Sequence, residues 1–198
     1  MHRNNSKDNI HKRKLVIVGD GDCGKTALLI RFCRDEFRTA YMPTVFDTYV
    51  ASLELSKNEQ VELSLWDTAG QEEYDALRPL SYPNAHIVLI AFSINDSNTL
   101  ENVRERWVQE LHQYCSNVPY LLVGCKKDLR NNVPHSQMVT LDDGRATAKE
   151  IGSYRNIYME CSAKSGEGVR DVFEAAARIA LKKGGAPSGT TTCPCVIL

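Results

Sequence analysis

Short apolar runs alternate along this chain with segments of helical periodicity. Residues 15–18, 87–92 and 120–123 are apolar and rich in β-branched side chains, which is typical of strands buried on both faces. A helical face follows the second run, and its apolar positions are Leu100, Val103, Trp107, Val108, Leu111 and Tyr114. This alternation predicts an α/β fold in which a doubly wound, mostly parallel six-stranded sheet carries helices on both faces.

The remaining segments complete this pattern. Runs at 48–55 and 60–66 flank the polar residues 56–59, which predicts a hairpin. Residues 35–47 show no helical period and contain Pro43, which predicts a long exposed loop. Thr140 and Asp143 have the spacing of a helix cap, a short strand is expected at 157–160, and a last helix buries Val169 and Phe173. Trp107 is expected to be core material rather than a binding aromatic.

Composition limits the class of protein. The 198 residues are enough for one domain with tails: a basic flexible extension at 1–13, a globular domain at 14–183 and a flexible tail at 184–198. A net charge of −1 gives no general attraction to nucleic acid. Seven cysteines scattered through apolar runs favour a reducing compartment over a disulfide framework. With no signal peptide or membrane-spanning run, we expect a cytosolic chain unless something anchors it.

The stretch 19–26, here called the phosphate loop, matches G-x-x-x-x-G-K-[ST] at every fixed position. It lies between a predicted buried strand and a predicted helix, which is the arrangement of a P-loop NTPase. Backbone N–H groups and the helix N-terminus would cradle phosphates, Lys25 would reach the β- and γ-phosphates, and the Thr26 hydroxyl would ligate Mg²⁺. The alternative is a chance glycine turn before an ordinary helix.

Two later strand ends carry residues that suit a nucleotide. Asp67 follows a buried run and is placed to hold the Mg²⁺ shell, through water, from the far side. Asp128 can accept two hydrogen bonds from guanine, while the stem of Lys126 lies over the base. Residues 162–164 would donate backbone N–H groups to the guanine O6.

At these residues the chain resembles the Ras superfamily of GTPases, and the Rho family within it, from about Lys14 to Lys182 and again at the C-terminus. The strings that carry this resemblance are residues 19–21, 41–46, 66–74, 77–83 and 160–164. The resemblance implies a timed switch that hydrolyses GTP to GDP and phosphate, slowly alone and faster with an activating protein.

The resemblance also implies roles for individual residues. Gln71 would orient the attacking water, and Gly21 would leave room for an activating arginine. Thr44 would bind Mg²⁺ and the γ-phosphate, and Phe37 would pack edge-on to the guanine. The expected catalytic residues are Gln71, Lys25, Gly21 and Thr44. The expected nucleotide-binding residues are Gly19, Asp20, Gly21, Asp22, Cys23, Gly24, Lys25, Thr26, Ala27, Phe37, Tyr41, Thr44, Gly70, Cys125, Lys126, Asp128, Leu129, Ser162, Ala163 and Lys164. The expected Mg²⁺ residues are Thr26, Thr44 and Asp67. The expected effector-binding residues are Tyr41, Met42, Pro43, Thr44, Val45, Phe46, Asp47 and Tyr74.

The last four residues, 195–198, fit a prenylation box, and the terminal Leu198 favours a geranylgeranyl group on Cys195. The alternative is a frayed apolar tail. One lipid anchors weakly, so a second signal is expected, and Cys193 is a candidate for palmitoylation. The resemblance implies a monomeric domain with a guanine nucleotide exchange factor, a GTPase-activating protein, a guanine nucleotide dissociation inhibitor and GTP-dependent effectors as partners. It further implies the cytoplasmic face of membranes, chiefly the plasma membrane, a cytosolic pool, and signalling to actin, polarity or secretion.

Several positions depart from the family pattern: Ala76 replaces a common arginine, Asp47 conservatively replaces Glu, and the segment after Arg130 is shorter than the usual Rho insert helix. Two further departures, Asp22 and Cys125, bear on nucleotide release. Asp22 stands where Rho relatives usually have Ala, and Cys125 stands where most relatives have Asn or Thr. A carboxylate near the phosphates and a thiol in place of an amide predict faster GDP release, unless local contacts compensate. Three rivals remain: a non-hydrolysing interaction module, which Gln71 and Gly21 oppose; an unrelated phosphate-loop ATPase or kinase, which Asp128 opposes; and a non-enzymatic globular domain.

Overall fold

The computed structural model describes residues 9–39, 44–131 and 138–182. Its strands are β1 (Asn9–Val18), β2 (Phe46–Ser56), β3 (Glu59–Thr68), β4 (Ile87–Ser93), β5 (Tyr120–Cys125) and β6 (Tyr158–Glu160). Its α-helices are α1 (Lys25–Arg34), α2 (Ser97–Asn102), α3 (Val108–Cys115), α4 (Leu141–Glu150) and α5 (Val169–Lys182). A π-helical turn, Val103–Trp107, joins α2 to α3, and short 3₁₀ turns lie at Glu72–Tyr74, Arg78–Ser81, Lys127–Asn131 and Tyr154–Asn156.

The strands form one sheet in the order β2-β3-β1-β4-β5-β6. Strands β2 and β3 pair antiparallel around a tight turn, and the other neighbours pair parallel. The predicted hairpin and the predicted six-stranded, mostly parallel sheet are therefore confirmed. Because the parallel strands all end at one edge, the loops after β1, β3, β5 and β6 are brought together there.

Helices cover both faces because successive strand residues point to opposite sides. Leu15 and Ile17 pack into the core beneath α1 and α5, whereas Val16 and Val18 pack beneath α2, α3 and α4. Every residue of β4 is buried, as the uninterrupted apolar run predicts. The core also contains Trp107, whose side chain is fully buried, so its assignment to the core is confirmed.

Helix α4 illustrates how local sequence sets an element boundary. The Thr140 hydroxyl accepts from the Asp143 N–H, and the Asp143 carboxylate accepts from the Thr140 N–H, so the two residues form the expected capping box. The helix then runs to Glu150, and Ile151 is its C-cap.

The structure differs from the sequence-based prediction in three places. Strand β2 begins at Phe46, so residues 46–47 pair with β3 rather than belonging to the predicted loop. Strand β1 begins at Asn9, so residues 9–13 are extended rather than part of a flexible extension, and they pair with β3. Tyr114 is about half exposed (48%) rather than on the buried face, because it lies near the end of α3, where its ring stacks on the buried ring of Tyr82. Residues 1–8, 40–43, 132–137 and the tail from residue 183 onward lie outside the described residues.

Among the helices that the structure describes, none has the length and apolar character needed to cross a membrane.

Candidate active site

A cleft of about 760 Å³ opens at the carboxyl ends of the parallel strands. It brings the phosphate loop together with the loops after β3, β5 and β6, which are distant in sequence. The predicted site residues that line it are Gly21, Asp22, Gly24, Lys25, Thr26, Ala27, Phe37, Thr44, Val45, Phe46, Asp47, Gly70, Gln71, Cys125, Lys126, Asp128, Leu129, Ala163 and Lys164. A cleft of this volume is large enough for a nucleotide-sized ligand.

The phosphate loop joins β1 to α1 with its backbone open toward the cleft. Gly24 is the N-cap of α1 and has φ 109°, a conformation that favours glycine. Because glycine has no side chain to cap the helix, the first N–H groups of α1 remain available for an anion. The Nζ of Lys25 donates to the carbonyl oxygens of Gly19 and Asp20, 2.7 Å away in each case. A cation and a helix N-terminus thus face the same space.

The residues expected to hold Mg²⁺ lie beside this loop. The hydroxyl oxygens of Thr26 and Thr44 are 2.8 Å apart. Asp67, at the end of β3, is fully buried, and neither carboxylate oxygen has a hydrogen-bond partner among the described residues. Burial raises the pKa of Asp67 to about 6, although the nearby Thr26 hydroxyl and Lys25 ammonium act in the opposite direction. Two hydroxyls and a buried carboxylate form a hard oxygen donor set, which fits Mg²⁺.

The end of the cleft near β5 and β6 carries the residues expected to recognise the base. The Ser162 hydroxyl, which is fully buried, donates to Oδ1 of Asp128 at 2.6 Å and accepts from the Ser165 N–H at 3.0 Å. The Lys127 N–H donates to the carbonyl oxygen of Cys161, which ties the two loops together. Asp128 is therefore held in one orientation at the cleft wall, as a guanine-specific acceptor requires.

The loop after β3 packs directly on the phosphate loop. A Cβ added to Gly70 would lie 2.4 Å from the carbonyl carbon of Asp20 and 2.4 Å from the backbone nitrogen of Gly21. Only glycine permits this approach, which brings the Gly70 backbone and Gln71 to the phosphate end of the cleft.

Several predicted site residues do not form the cleft wall. Gly19, Asp20, Cys23, Asp67, Ser162 and Tyr74 lie outside its lining. Of these, Cys23 is buried, and its thiol lies 3.4 Å from the Ala91 carbonyl oxygen, so it supports the phosphate loop from below. The Asp20 carboxylate accepts from Trp107 and Asn102. Tyr41, Met42 and Pro43 are outside the described residues, as are Cys193 and Cys195.

The cleft also contains residues that the sequence reasoning missed. Arg38, Thr39 and Cys161 line it. Arg38 and Thr39 lie within the predicted exposed loop, and their position shortly before Thr44 could have indicated them. Cys161 could have been found from its place directly before Ser162, because the residues at a strand end share the same edge.

A second, smaller cleft of about 310 Å³ adjoins the first. It is lined mainly by apolar and aromatic side chains, including Val45, Phe46, Trp66, Tyr74 and Leu80. Leu80 and Val45 are 71% and 53% exposed, which is unusual for large apolar residues so close together. Such a patch is typical of a surface that binds another protein.

Comparison with known proteins agrees with this geometry. Residues 14–182 match the Ras family. The chain is 52% identical over 180 residues to GTP-binding protein rho1 of Schizosaccharomyces pombe, covering 87% of this chain and 88% of that protein, and it matches rho5 of the same organism equally well. It is 52% identical over 196 residues to the human Rho-related GTP-binding protein RhoB, covering 94% of this chain and 98% of that protein. The chain therefore belongs to the Ras family of GTPases. Within that family it is a Rho-type small GTPase, a guanine nucleotide switch that hydrolyses GTP.

Proposed function

We propose that this Rho-type GTPase binds GDP and GTP with Mg²⁺ in the larger cleft and works as a membrane-anchored switch. One observation carries the proposal: the same cleft contains the phosphate loop and Asp128, whose carboxylate is oriented by the Ser162 hydroxyl so that it can accept from guanine. Adenine lacks the paired N–H donors that such a carboxylate accepts, so a phosphate-loop ATPase would gain nothing from this arrangement.

The residues at the phosphate end would act by position and charge. Lys25 and the N–H groups of α1 would bind the β- and γ-phosphates, while Gln71 would orient a water molecule in line with the γ-phosphate. The attacking water adds to the γ-phosphorus as the bond from that phosphorus to the oxygen bridging to the β-phosphate breaks. The bridging oxygen leaves with GDP, and the proton of the water passes to the released phosphate or to solvent. The protein itself forms no covalent bond in this reaction, so the rate of GTP hydrolysis depends on how firmly Lys25, Gln71 and the N–H groups of α1 are held in position.

Thr26, Thr44 and, through water, Asp67 would hold Mg²⁺. The ion offsets the negative charge of the phosphates when it is bound. Because Thr44 belongs to the loop before β2 and Asp67 to β3, binding of Mg²⁺ by both would order that loop around GTP.

Nucleotide specificity is the first test. Dissociation of a fluorescent GDP analogue should be measured from the purified chain in millimolar Mg²⁺, in competition with GTP and with ATP. We expect GTP and GDP, but not ATP, to displace it. Displacement by ATP would favour a phosphate-loop ATPase, and absence of any binding would overturn the proposal.

Hydrolysis is tested separately with Gln71→Leu. This variant keeps the phosphate loop and Asp128, so we expect unchanged GDP binding and a loss of single-turnover GTP hydrolysis on the order of 10²-fold. Equal hydrolysis by both proteins would favour a different water-positioning residue. Slow hydrolysis by the wild type as well would favour the non-hydrolysing interaction module.

We further propose that geranylgeranylation of Cys195 attaches the chain to membranes, chiefly the cytoplasmic face of the plasma membrane, with Cys193 as a palmitoylation site and a cytosolic pool kept by a dissociation inhibitor. The sequence of the last four residues supports this proposal. Cys195→Ser should move the protein to the soluble fraction, and Cys193→Ser should weaken its retention on membranes. If Cys195→Ser left the membrane-bound fraction unchanged, the geranylgeranylation assignment would be wrong. If Cys193→Ser left it unchanged, the palmitoylation assignment would be wrong.

Partners would include an exchange factor, an activating protein and GTP-dependent effectors. The smaller apolar cleft supports such contacts, because it lies between residues 45–46 and 74–81 beside the nucleotide cleft. We place the output in the control of actin, polarity or secretion. Leu80→Asp should abolish GTP-dependent capture of such partners while leaving nucleotide binding intact.

A further inference from the structure

Trp107 lies between the phosphate loop and the segment after β3. It ends the π-helical turn between α2 and α3, and its side chain is fully buried. Its indole Nε1–H donates to Oδ1 of Asp20 at 2.8 Å, and the Asn102 amide donates to Oδ2 of the same carboxylate at 2.7 Å. Both oxygens of a phosphate-loop side chain are therefore held by this helix.

The Trp107 ring also contacts two guanidinium groups, that of Arg106 and that of Arg78, which belongs to the segment after β3. The Arg78 guanidinium carbon lies 4.6 Å from the ring centroid, and the side chain of Arg78 is fully buried. Its Nε donates to Oε1 of Glu110 at 2.8 Å, and its Nη1 donates to the carbonyl oxygen of Ala69 at 2.8 Å. A buried cation is stable only with such partners, so Arg78 has little freedom to move.

The contact with Ala69 has a geometric consequence for Gly70. The Ala69 carbonyl and the Gly70 N–H belong to the same peptide unit, which is planar and trans, so they point in opposite directions. By holding the carbonyl, Arg78 fixes the direction of the Gly70 N–H. Gly70 in turn packs against the backbone of Asp20 and Gly21. The phosphate loop and the segment after β3 thus meet both at Gly70 and, through side chains, at Trp107.

We propose that Trp107 is a positioning residue for GTP hydrolysis, because its N–H fixes Asp20 of the phosphate loop while its ring carries the guanidinium that orients the 69–70 peptide. This inference rests on the proposed function of the cleft. A helix with an inserted π turn suits such a role, since the extra residue rotates a side chain out of the regular helical pattern.

The first experiment uses Trp107→Phe in the full chain. Phenylalanine keeps an aromatic platform for Arg78 but has no N–H for Asp20. After loading with GTP, single-turnover hydrolysis should fall about three- to tenfold, a loss that does not depend on nucleotide affinity. Wild-type hydrolysis by the variant would overturn the proposal. Thermal unfolding of both proteins with GDP and Mg²⁺ shows whether the fold is kept.

A double-mutant cycle separates positioning from general loss of structure. Asp20→Ala changes the residue that accepts from the Trp107 indole, and Arg78→Lys changes a residue that stacks on its ring. Residues with no shared contact have additive effects on free energies, so the two effects on the hydrolysis rate should multiply unless Trp107 or the Gly70 contact links them. We expect the rate of the double variant to differ from the product of the two single effects by about threefold or more, and we expect this difference to become smaller in the Trp107→Phe background. A difference of the same size in both backgrounds would mean that Gly70, and not Trp107, links them. Simple multiplication in both backgrounds would overturn the link.

A matched substitution controls for the charge of Asp20. Asp20→Asn removes the same negative charge as Asp20→Ala, but its amide oxygen can still accept from the indole, and rotation of the Asn102 amide presents that side chain's oxygen to the new N–H₂ group. It should therefore restore most of the hydrolysis that Asp20→Ala loses. Equal loss in the two variants would show that charge alone acts.

Tryptophan fluorescence reports on the surroundings of Trp107 without replacing it. In the Trp66→Phe protein, Trp107 is the single tryptophan, because the chain has two. With a slowly hydrolysed GTP analogue bound, its emission should shift when Asp20→Ala removes the acceptor of the indole N–H. An unchanged spectrum in a protein that binds the analogue would contradict the inference about Trp107, whereas absence of nucleotide binding would contradict the proposed function itself.

Discussion

The ammonium nitrogen of Lys126 lies 3.4 Å from Oδ2 of Asp22, so an ion pair joins the loop after β5 to the phosphate loop. Asp22 is one of the residues at which we expect the chain to depart from the Rho pattern. It adopts a left-handed conformation (φ 59°), which aspartate tolerates better than most residues. Its side chain is 72% exposed, so solvent and Lys126 together reduce its repulsion of bound phosphates.

We predict that Asp22→Asn slows GDP release about two- to fivefold at low salt, because it removes a negative charge near the phosphates. Asparagine also tolerates the left-handed backbone, so the variant isolates charge. The measurement is dissociation of a fluorescent GDP analogue at low and high ionic strength. The difference should shrink at high salt, since the charge is exposed. Equal rates at low salt would mean that Lys126 compensates fully.

Cys125 offers a second prediction about GDP release. The adjacent Cys161 thiol and burial raise its pKa well above the ordinary value, so the group is a neutral thiol at physiological pH. A Cβ added to Gly24 would lie 3.3 Å from the Cβ of Cys125, which places this residue beneath the phosphate loop. Cys125→Asn would supply amide hydrogen bonds there, and we expect GDP release to slow about tenfold.

Cys125→Ala is the matched control for that substitution, because it removes the thiol without adding an amide. It should release GDP no more slowly than the wild type. If the Ala and Asn variants behaved alike, a change in packing rather than hydrogen bonding would explain the result.

Sequence reasoning succeeded where the signal is local. Strand β4 is a continuous apolar run and is buried throughout, and the Thr140–Asp143 cap follows from their spacing. It failed for residues 9–13, whose basic side chains suggest a tail. Their extended conformation depends on pairing with β3, where Lys12 lies 3.3 Å from a carboxylate oxygen of Glu62. That partner is distant in the chain, so no local pattern indicates it.

In the candidate site too, features with a local sequence signal were predicted, whereas contacts between residues distant in the chain were not. The phosphate loop, Asp67 and Asp128 were predicted because each follows a strand and the strand ends converge. The contact between Asp20 and Trp107 joins residues 87 positions apart and depends on a π turn that has no clear sequence signal. Trp107 was correctly predicted to be buried, but burial alone does not reveal the hydrogen bond that its indole donates.

Gly144 in helix α4 provides a test of packing. Alanine normally stabilises a helix by about 1 kcal/mol relative to glycine. A Cβ at Gly144, however, would lie 2.3 Å from two ring atoms of Tyr158, whose hydroxyl donates to Glu160 and whose ring stacks on Phe92. Since this ring cannot move freely, we predict that Gly144→Ala lowers the free energy of unfolding by about 1–2 kcal/mol. Urea denaturation with saturating GDP measures the change.

The control for Gly144→Ala is the same substitution in a Tyr158→Ala background. Without the ring, the added methyl group should be neutral or stabilising. A destabilisation of the same size in both backgrounds would show that the clash with Tyr158 is not its cause.

The pH dependence of stability should contain a contribution from His86. Its Nδ1 accepts from the Lys14 N–H at 3.0 Å, which requires the neutral ring. Burial lowers the pKa of His86, and the positive charges of Arg13 and Lys14 lower it further. The unfolded chain then binds more protons than the folded one as pH falls through about 6.5, so stability present above that pH is lost below it.

We predict that His86→Asn, whose amide oxygen accepts the same N–H without titrating, loses less stability than the wild type between pH 7.5 and 5.5. Urea midpoints of both proteins measure this directly, and the comparison cancels other groups in the same window, such as Asp67. Parallel losses in the two proteins would mean that His86 is not protonated on unfolding in that range.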